Sequence, residues 1–297
     1  MRPDVIAVTG ASGFTGPFVV QALRRRFPSA TIRCVVRPSS RRDRLEPFGV
    51  EYAVGDLRNV PSLCAAFRGA DTLVNVSSLG FDWVEPLFDA IHRSSFRRGV
   101  FIGTTAMLTR LPARTKPMRE RGEALVQSSK FPWTIVRPTM IYGTPEDRNI
   151  ARLIRFVLAS PIIPVIAPNA QQQPIHVEDV AAAVTAAVDA ESSYGRAYNI
   201  AGRDPLTLRA VIDTVIHAAG VRRLTIQLPT SPVRWLVAGA RHLGVRRLTT
   251  EQIDRIHEDK SFAYDDAARD LGFAPRSFAD GVAAELAMIR SQRVTRA

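Results

Sequence analysis

Residues 5–16 read VIAVTGASGFTG, an apolar β-branched run that breaks into Gly10, Gly13 and Gly16 and then enters a stretch carrying Val19, Val20 and Leu23 at helical spacing. Few folds accept a strand that ends in this way. Glycine is needed where a chain turns tightly, where its backbone approaches a pyrophosphate and where a helix packs on the preceding strand; the free N–H groups of the helix start then face the phosphates. With a strand before it and an amphipathic helix after it, the turn points to a dinucleotide site formed by Gly10, Ser12, Gly13, Phe14, Thr15 and Gly16.

The alternation continues along the chain. Apolar runs rich in β-branched residues recur at 31–36, 52–54, 72–76, 100–102 and 133–136, each followed by helical spacing or a loop. Continuous apolar runs suit strands covered on both faces, and short β-α repetition demands parallel pairing with right-handed crossovers. The expected fold class is α/β, a Rossmann-type doubly wound parallel sheet with a smaller, interleaved C-terminal substrate lobe. Three prolines within residues 161–168 exclude a helix or a central strand and predict an extended loop leaving the first domain. A helix at 177–190 and a strand at 198–200 are predicted to return to the first sheet, and further helices are predicted at 206–219, 232–243, 249–258 and 278–291. This divides the chain into a dinucleotide-binding domain, 1–141 rejoined by about 173–202, and a substrate lobe of 142–172 and 203–297.

The second strand bears on which dinucleotide binds. An acid for the ribose hydroxyl belongs about 20 residues beyond the glycine turn, yet Val36 stands there and Arg37, Arg41, Arg42 and Arg44 follow. Guanidinium groups suit a 2′-phosphate, so NADP is expected over NAD, with Arg37 as its contact. Asp56 and Leu57 end the third strand, where the carboxylate either accepts from an adenine amino group or caps the helix starting near Asn59. Val76 closes the fourth strand and Pro138 follows the sixth, both counted with the cofactor residues. Thr104 and Thr105 end the fifth, at the carboxyl edge where such ligands bind.

With TGASGFTG, VGDLRN, TIVRPTMIYG, PIHVEDVAAAV, YNIAG and FAYDDAARDLGFAPRSFADGV in hand, nearly the whole chain resembles the extended and atypical short-chain dehydrogenase/reductases, or NAD-dependent epimerase/dehydratases. Within them it is most similar to the branch holding the complex I accessory subunit and NmrA-like proteins. The resemblance implies an oxidoreductase or epimerase. It also implies a catalytic Tyr with a Lys four residues on, but Asp56, Glu146, Tyr198, Gly202 and Ala268 follow the five tyrosines at that spacing. Thr115 and Arg119 fall where the pair is expected, with Lys116 as the nearby amine. A reduced relay is left: Thr104 or Thr105 at the position resembling the family's Ser or Thr, and Lys116 either as an acid or base with a lowered pKa or as a group that only binds the cofactor ribose or caps a loop. The alternative to an enzyme is a non-catalytic NADPH-binding module.

Tyr142, Arg148 and Asn149 follow the sixth strand and are the expected substrate contacts, with Arg148 suited to a diphosphate or carboxylate; helix initiation with Asp147 as cap is the competing reading. His176 is read as a structural histidine at a helix start. Trp235, Leu236, Leu243 and Val245 among Arg234, Arg241, Arg246 and Arg247 make a basic amphipathic segment, for core packing or for docking to a membrane or protein complex. A length of 297 residues with 46% hydrophobic and 23% charged residues excludes low-complexity disorder. No run approaches the roughly 18 apolar residues of a spanning helix and none reads as a signal peptide, so a cytoplasmic protein is expected. The formal charge is +12, but only Lys116, Lys130 and Lys260 among the 40 basic residues are lysines, and the arginines are scattered with no nucleic-acid motif beside them. A basic surface that concentrates an anionic small molecule is expected instead. Cys34 and Cys64 have neither disulfide nor metal-ligand spacing and are read as buried thiols; no metal is expected.

Overall fold

All seven runs assigned to the first sheet are strands of one parallel sheet: β1 Val5–Thr9, β2 Thr31–Val36, β3 Glu51–Val54, β4 Thr72–Asn75, β5 Arg98–Ile102, β6 Trp133–Pro138 and β7 Arg196–Ile200. The order across it is β3-β2-β1-β4-β5-β6-β7. The chain thus builds outward from β1 in one direction and then crosses back to build in the other. The reversal lies between β1 and β4, where the carboxyl ends of two neighbouring strands part and leave a crevice. The computed structural model describes residues 2–230, 232 and 255–294.

Both faces of the sheet are covered, which explains the unbroken apolar runs. Ile6 and Val8 face α1 (Gly16–Arg26) and α6 (Val177–Asp189), whereas Ala7 between them faces α2 (Val60–Phe67), α3 (Val84–His92) and α4 (Lys116–Gln127). All three side chains are 0% exposed. Arg98 at the start of β5 is buried with no acid partner among the described residues; its guanidinium donates to Pro132 O at 3.0 Å, Ser193 Oγ at 3.0 Å and Ala187 O at 2.5 Å, joining β5 to the loop before β6 and to α6. Cys34 is buried as expected, but Cys64 is half-buried on α2.

A second core joins α5 (Ile150–Ala159), α7 (Leu208–Ala219) and α9 (Phe278–Val294) through Ile154, Val157, Val215, Val282 and Leu286. Two expectations change here. Residues 161–168 are not wholly loop: Ile162–Val165 pairs in parallel with Leu224–Gln227, an isolated two-stranded ribbon whose free edge tolerates Pro164. Residues 265–273, assigned to the substrate lobe, pack instead on the sheet core through Ala267 and Phe273, with α8 spanning Asp265–Leu271. The predicted helix 232–243 and the basic segment 234–247 lie outside the described residues except for residue 232. Of the predicted helix 249–258, only 255–258 are described, with a helical turn at 255–257. Among the described residues no helix is long and apolar enough to cross a membrane.

The second core holds an ionisable group. Glu285 of α9 is 0% exposed beside Asp147, and burial, followed by the Asp147 carboxylate, pushes its carboxyl from 4.5 up to about 10. Below pH 4.5 folded and unfolded chains are both protonated at this site; between there and about 10 the unfolded chain releases a proton that the folded chain keeps. Stability from this group is therefore full in acid and lost as pH rises. Glu285→Gln is expected to stabilise the protein by about 3 kcal/mol at neutral pH and by nothing near pH 4, as read by urea unfolding. Equal gains at both pH values would contradict a protonated Glu285.

Candidate functional site

The three glycines of the turn have different tasks. Gly10 has φ +70°, and a Cβ there would lie 2.7 Å from the Ser77 nitrogen; a Cβ on Gly16 would lie 2.1 Å from the Ala11 oxygen. These two fit the turn to its own protein neighbours. Gly13 is exposed, and a Cβ there would meet only the Gly10 oxygen, at 3.2 Å, so its open side is free for a ligand. Thr15 holds the N-cap position of α1 without a side-chain capping bond, leaving first-turn N–H groups for phosphate oxygens. The crevice beside the turn is rigid: Thr9 and Ser77 hydroxyls donate to Asn75 Oδ1 at 2.6 and 2.5 Å, and Asn75 Nδ2 donates to Ser77 O at 2.8 Å.

Of the arginines after β2, Arg41 pairs with Asp43, Arg42 stacks over Tyr52 and Arg44 over Phe18. Arg37 follows β2 exposed to solvent; its backbone N–H donates to Ser40 Oγ at 3.1 Å and its carbonyl accepts from Ser40 N at 3.0 Å, which leaves the guanidinium without a partner among the described residues. Asp56 is not the helix cap: Asn59 caps α2 by accepting from Ser62 N at 2.9 Å, while Asp56 Oδ1 accepts only from Arg58 N. Leu57 packs against the core under α2 and α3.

Two cavities open at the carboxyl edge. The smaller, about 260 Å³, brings together Thr15, Val76, Pro138 and Thr104 from the expected set, with Gly80, Arg119 and Glu123. The larger, about 820 Å³, lies between the ends of β5 and β6, residues 172–173 and residues 255–262. Thr104 and Thr139 line both. Thr104 Oγ1 accepts from Ala106 N at 3.2 Å, which leaves its own proton free. Thr105 is buried and gives its hydroxyl proton to Pro138 O at 3.2 Å.

Three expected site residues are placed elsewhere. Lys116 lines neither cavity: it begins α4 and its Nζ donates to Thr109 O at 2.8 Å. Arg119, on the same helix, is the basic residue that reaches the smaller cavity. Tyr142 is 1% exposed in the second core, edge-on to His176 and Phe278, and burial raises its pKa; it is a packing residue. Arg148 is exposed and lines neither cavity, whereas Asn149 lines the larger one. Asp147 does start α5, accepting from Asn149 N at 2.6 Å and Ala151 N at 3.0 Å. His176 accepts from Glu178 N at 3.3 Å at the start of α6, the structural role expected of it.

The larger cavity also holds residues that local patterning did not mark. Glu258 accepts from the Thr109 hydroxyl at 2.6 Å and from Arg110 N at 2.8 Å, tying the chain after β5 to the far wall. Lys260 is half-buried, its Nζ donating to Arg255 O at 2.5 Å and its backbone N–H to Gln171 O at 2.8 Å. Burial lowers its pKa; Glu258 opposes this and Arg255 adds to it. These are the surroundings expected for Lys116, found around a lysine far along the chain. The only sequence signal was the scarcity of lysine itself. No tyrosine lines either cavity among the described residues.

Residues 10–191 match the model of a family described as NAD(P)H-binding. The chain is 28% identical to the ceramide reductase of Caulobacter vibrioides, over 80% of this chain and 76% of that one. It is 24% identical to the mitochondrial NADH dehydrogenase [ubiquinone] 1 alpha subcomplex subunit 9 of Dictyostelium discoideum, over 71% of this chain and 63% of that longer one. The fold superposes on the UDP-glucuronic acid 4-epimerase of Bacillus cereus in complex with NAD with a TM-score of 0.76 at 16% identity, covering 97% of this chain and 99% of the other.

Proposed function

The chain belongs to the NAD(P)H-binding family, of short-chain dehydrogenase/reductase type, and on that footing we propose that it is an NADPH-dependent reductase or epimerase-type enzyme acting on an anionic, hydroxylated substrate of the sugar-nucleotide kind. The observation that carries this is the meeting of two cavities at Thr104 and Thr139, one beside the glycine turn and one large enough for a substrate. The residues present fit the cofactor: the open side of Gly13 admits a pyrophosphate, and Arg37 is free for a 2′-phosphate. A bound nicotinamide supplies hydride chemistry at a carbonyl or carbinol carbon. Thr104 donates a hydrogen bond to the reacting oxygen, and Lys260 delivers the proton to it, in place of the missing tyrosine. Lys116 keeps the loop before α4 in place through Thr109.

The test is NADPH oxidation, followed by nicotinamide absorbance, across sugar nucleotides, quinones and simple carbonyls. Substrate-dependent oxidation supports an enzyme. No turnover together with a strong rise in thermal stability on adding NADPH supports the second reading, a non-catalytic NADPH-binding module, which the absence of tyrosine from both cavities favours. Cofactor choice is checked separately. Arg37→Ala is expected to shrink the preference for NADPH over NADH by one charge-assisted contact, about 1.5 to 3 kcal/mol in calorimetric titration. Equal affinities for the two cofactors in the parent protein would exclude the 2′-phosphate contact.

A further inference from the structure

We propose that Arg119 and Arg255 form a clamp, at the junction of the two cavities, for an oxyanion carried by the substrate, a phosphate or a carboxylate. This rests on the functional reading above and narrows its substrate class. Arg119 reaches the smaller cavity with Nη1 buried and no hydrogen-bond partner. Its packing depends on Gly80, since a Cβ there would lie 2.8 Å from Arg119 Cγ. The acids near it on α4 face other cations: Glu120 pairs with Lys116 at 4.0 Å, and both oxygens of Glu123 accept from Arg137 Nε at 3.0 Å. A buried guanidinium N–H with no acceptor is expensive, so its natural complement is a ligand oxygen.

Arg255 stands on the wall of the larger cavity and makes no ion pair among the described residues. The cavities share Thr104 and Thr139, and the charge of Arg255 is felt at Arg119, where it adds to burial in lowering the pKa. It also acts on Lys260 in the same direction. The two acids on this wall are already engaged. Glu258 accepts from Thr109 and Arg110, and Asp259 accepts from Gln171 N at 2.8 Å. Glu258 supports the charge of Lys260, whereas Arg119 and Arg255 make no ion pair among the described residues. Like charges so placed repel, and neither a hydroxyl nor a neutral carbonyl compensates them. A phosphate or carboxylate does, because its oxygens accept forked, charge-assisted bonds from two guanidinium groups at once.

The experiment titrates inorganic phosphate, at constant ionic strength, into the NADPH-saturated protein, reading the melting temperature and the calorimetric heat. A saturable response is expected, weakened about tenfold or more in Arg119→Gln and in Arg255→Gln. It should be unchanged in Arg68→Gln, which alters an exposed arginine after α2. If saturation with NADPH abolishes the response, the clamp serves the cofactor's own phosphates and the proposal falls. It also falls if both clamp variants respond like the parent. Failure of NADPH to bind at all would defeat the functional reading instead, and the same titration of the cofactor-free protein then decides the clamp by the same criteria.

Discussion

Gly13→Val is expected to abolish NADPH and NADH binding while leaving the protein folded. The residue is exposed, its φ is not left-handed, and the added Cβ meets only the Gly10 oxygen at 3.2 Å, so the fold has little reason to resist the change. The side chain instead occupies the space through which a pyrophosphate approaches the turn, and every hydrogen bond from the start of α1 is lost together. Calorimetric titration should show no heat for either cofactor, with urea unfolding altered by less than about 1 kcal/mol. Gly16→Val makes the contrast, because its Cβ would sit 2.1 Å from the Ala11 oxygen and break the turn itself. Parent-like NADPH affinity in a folded Gly13→Val protein would remove the turn from the cofactor site.

Lys260→Met is expected to lower the rate of carbonyl reduction about 10² to 10⁴-fold, the usual contribution of a positioned acid, without weakening NADPH binding. Lys260 must carry its proton to act as the acid. Since burial holds its pKa below the ordinary 10.5, the parent rate should fall on the alkaline side from a pH lower than that value. Lys260→Arg keeps the charge but holds its proton too tightly to donate it, so it should not rescue the rate. In Glu258→Gln the carboxylate that supports the lysine's charge is gone, and the alkaline limb should move to lower pH. A Lys260→Met protein with parent rate and an unchanged profile would make Lys260 a structural residue that merely holds Arg255 through its carbonyl.

What the sequence determined by itself was local. Continuous β-branched runs at 5–9, 31–36, 72–76 and 133–136 required strands covered on both faces, and the glycine turn required a dinucleotide crevice, because strand periodicity and glycine's tolerance of close approach act within a few residues. The position of Arg37 just past a strand end was legible for the same reason, since that strand end follows from the turn. Tertiary structure alone decided which polar groups converge. Lys116 and Arg119 share one turn of α4, yet one faces Thr109 and the other the cavity, a choice made by how the helix packs. Tyr142 follows β6 like a substrate contact but is claimed by the second core between His176 and Phe278. Lys260 reaches the site through pairing with Gln171 and Gln172, and Glu258 through Thr109, contacts that join segments distant along the chain. No local period records such contacts, because they arise only when the sheet edge, the second lobe and residues 255–262 are brought together.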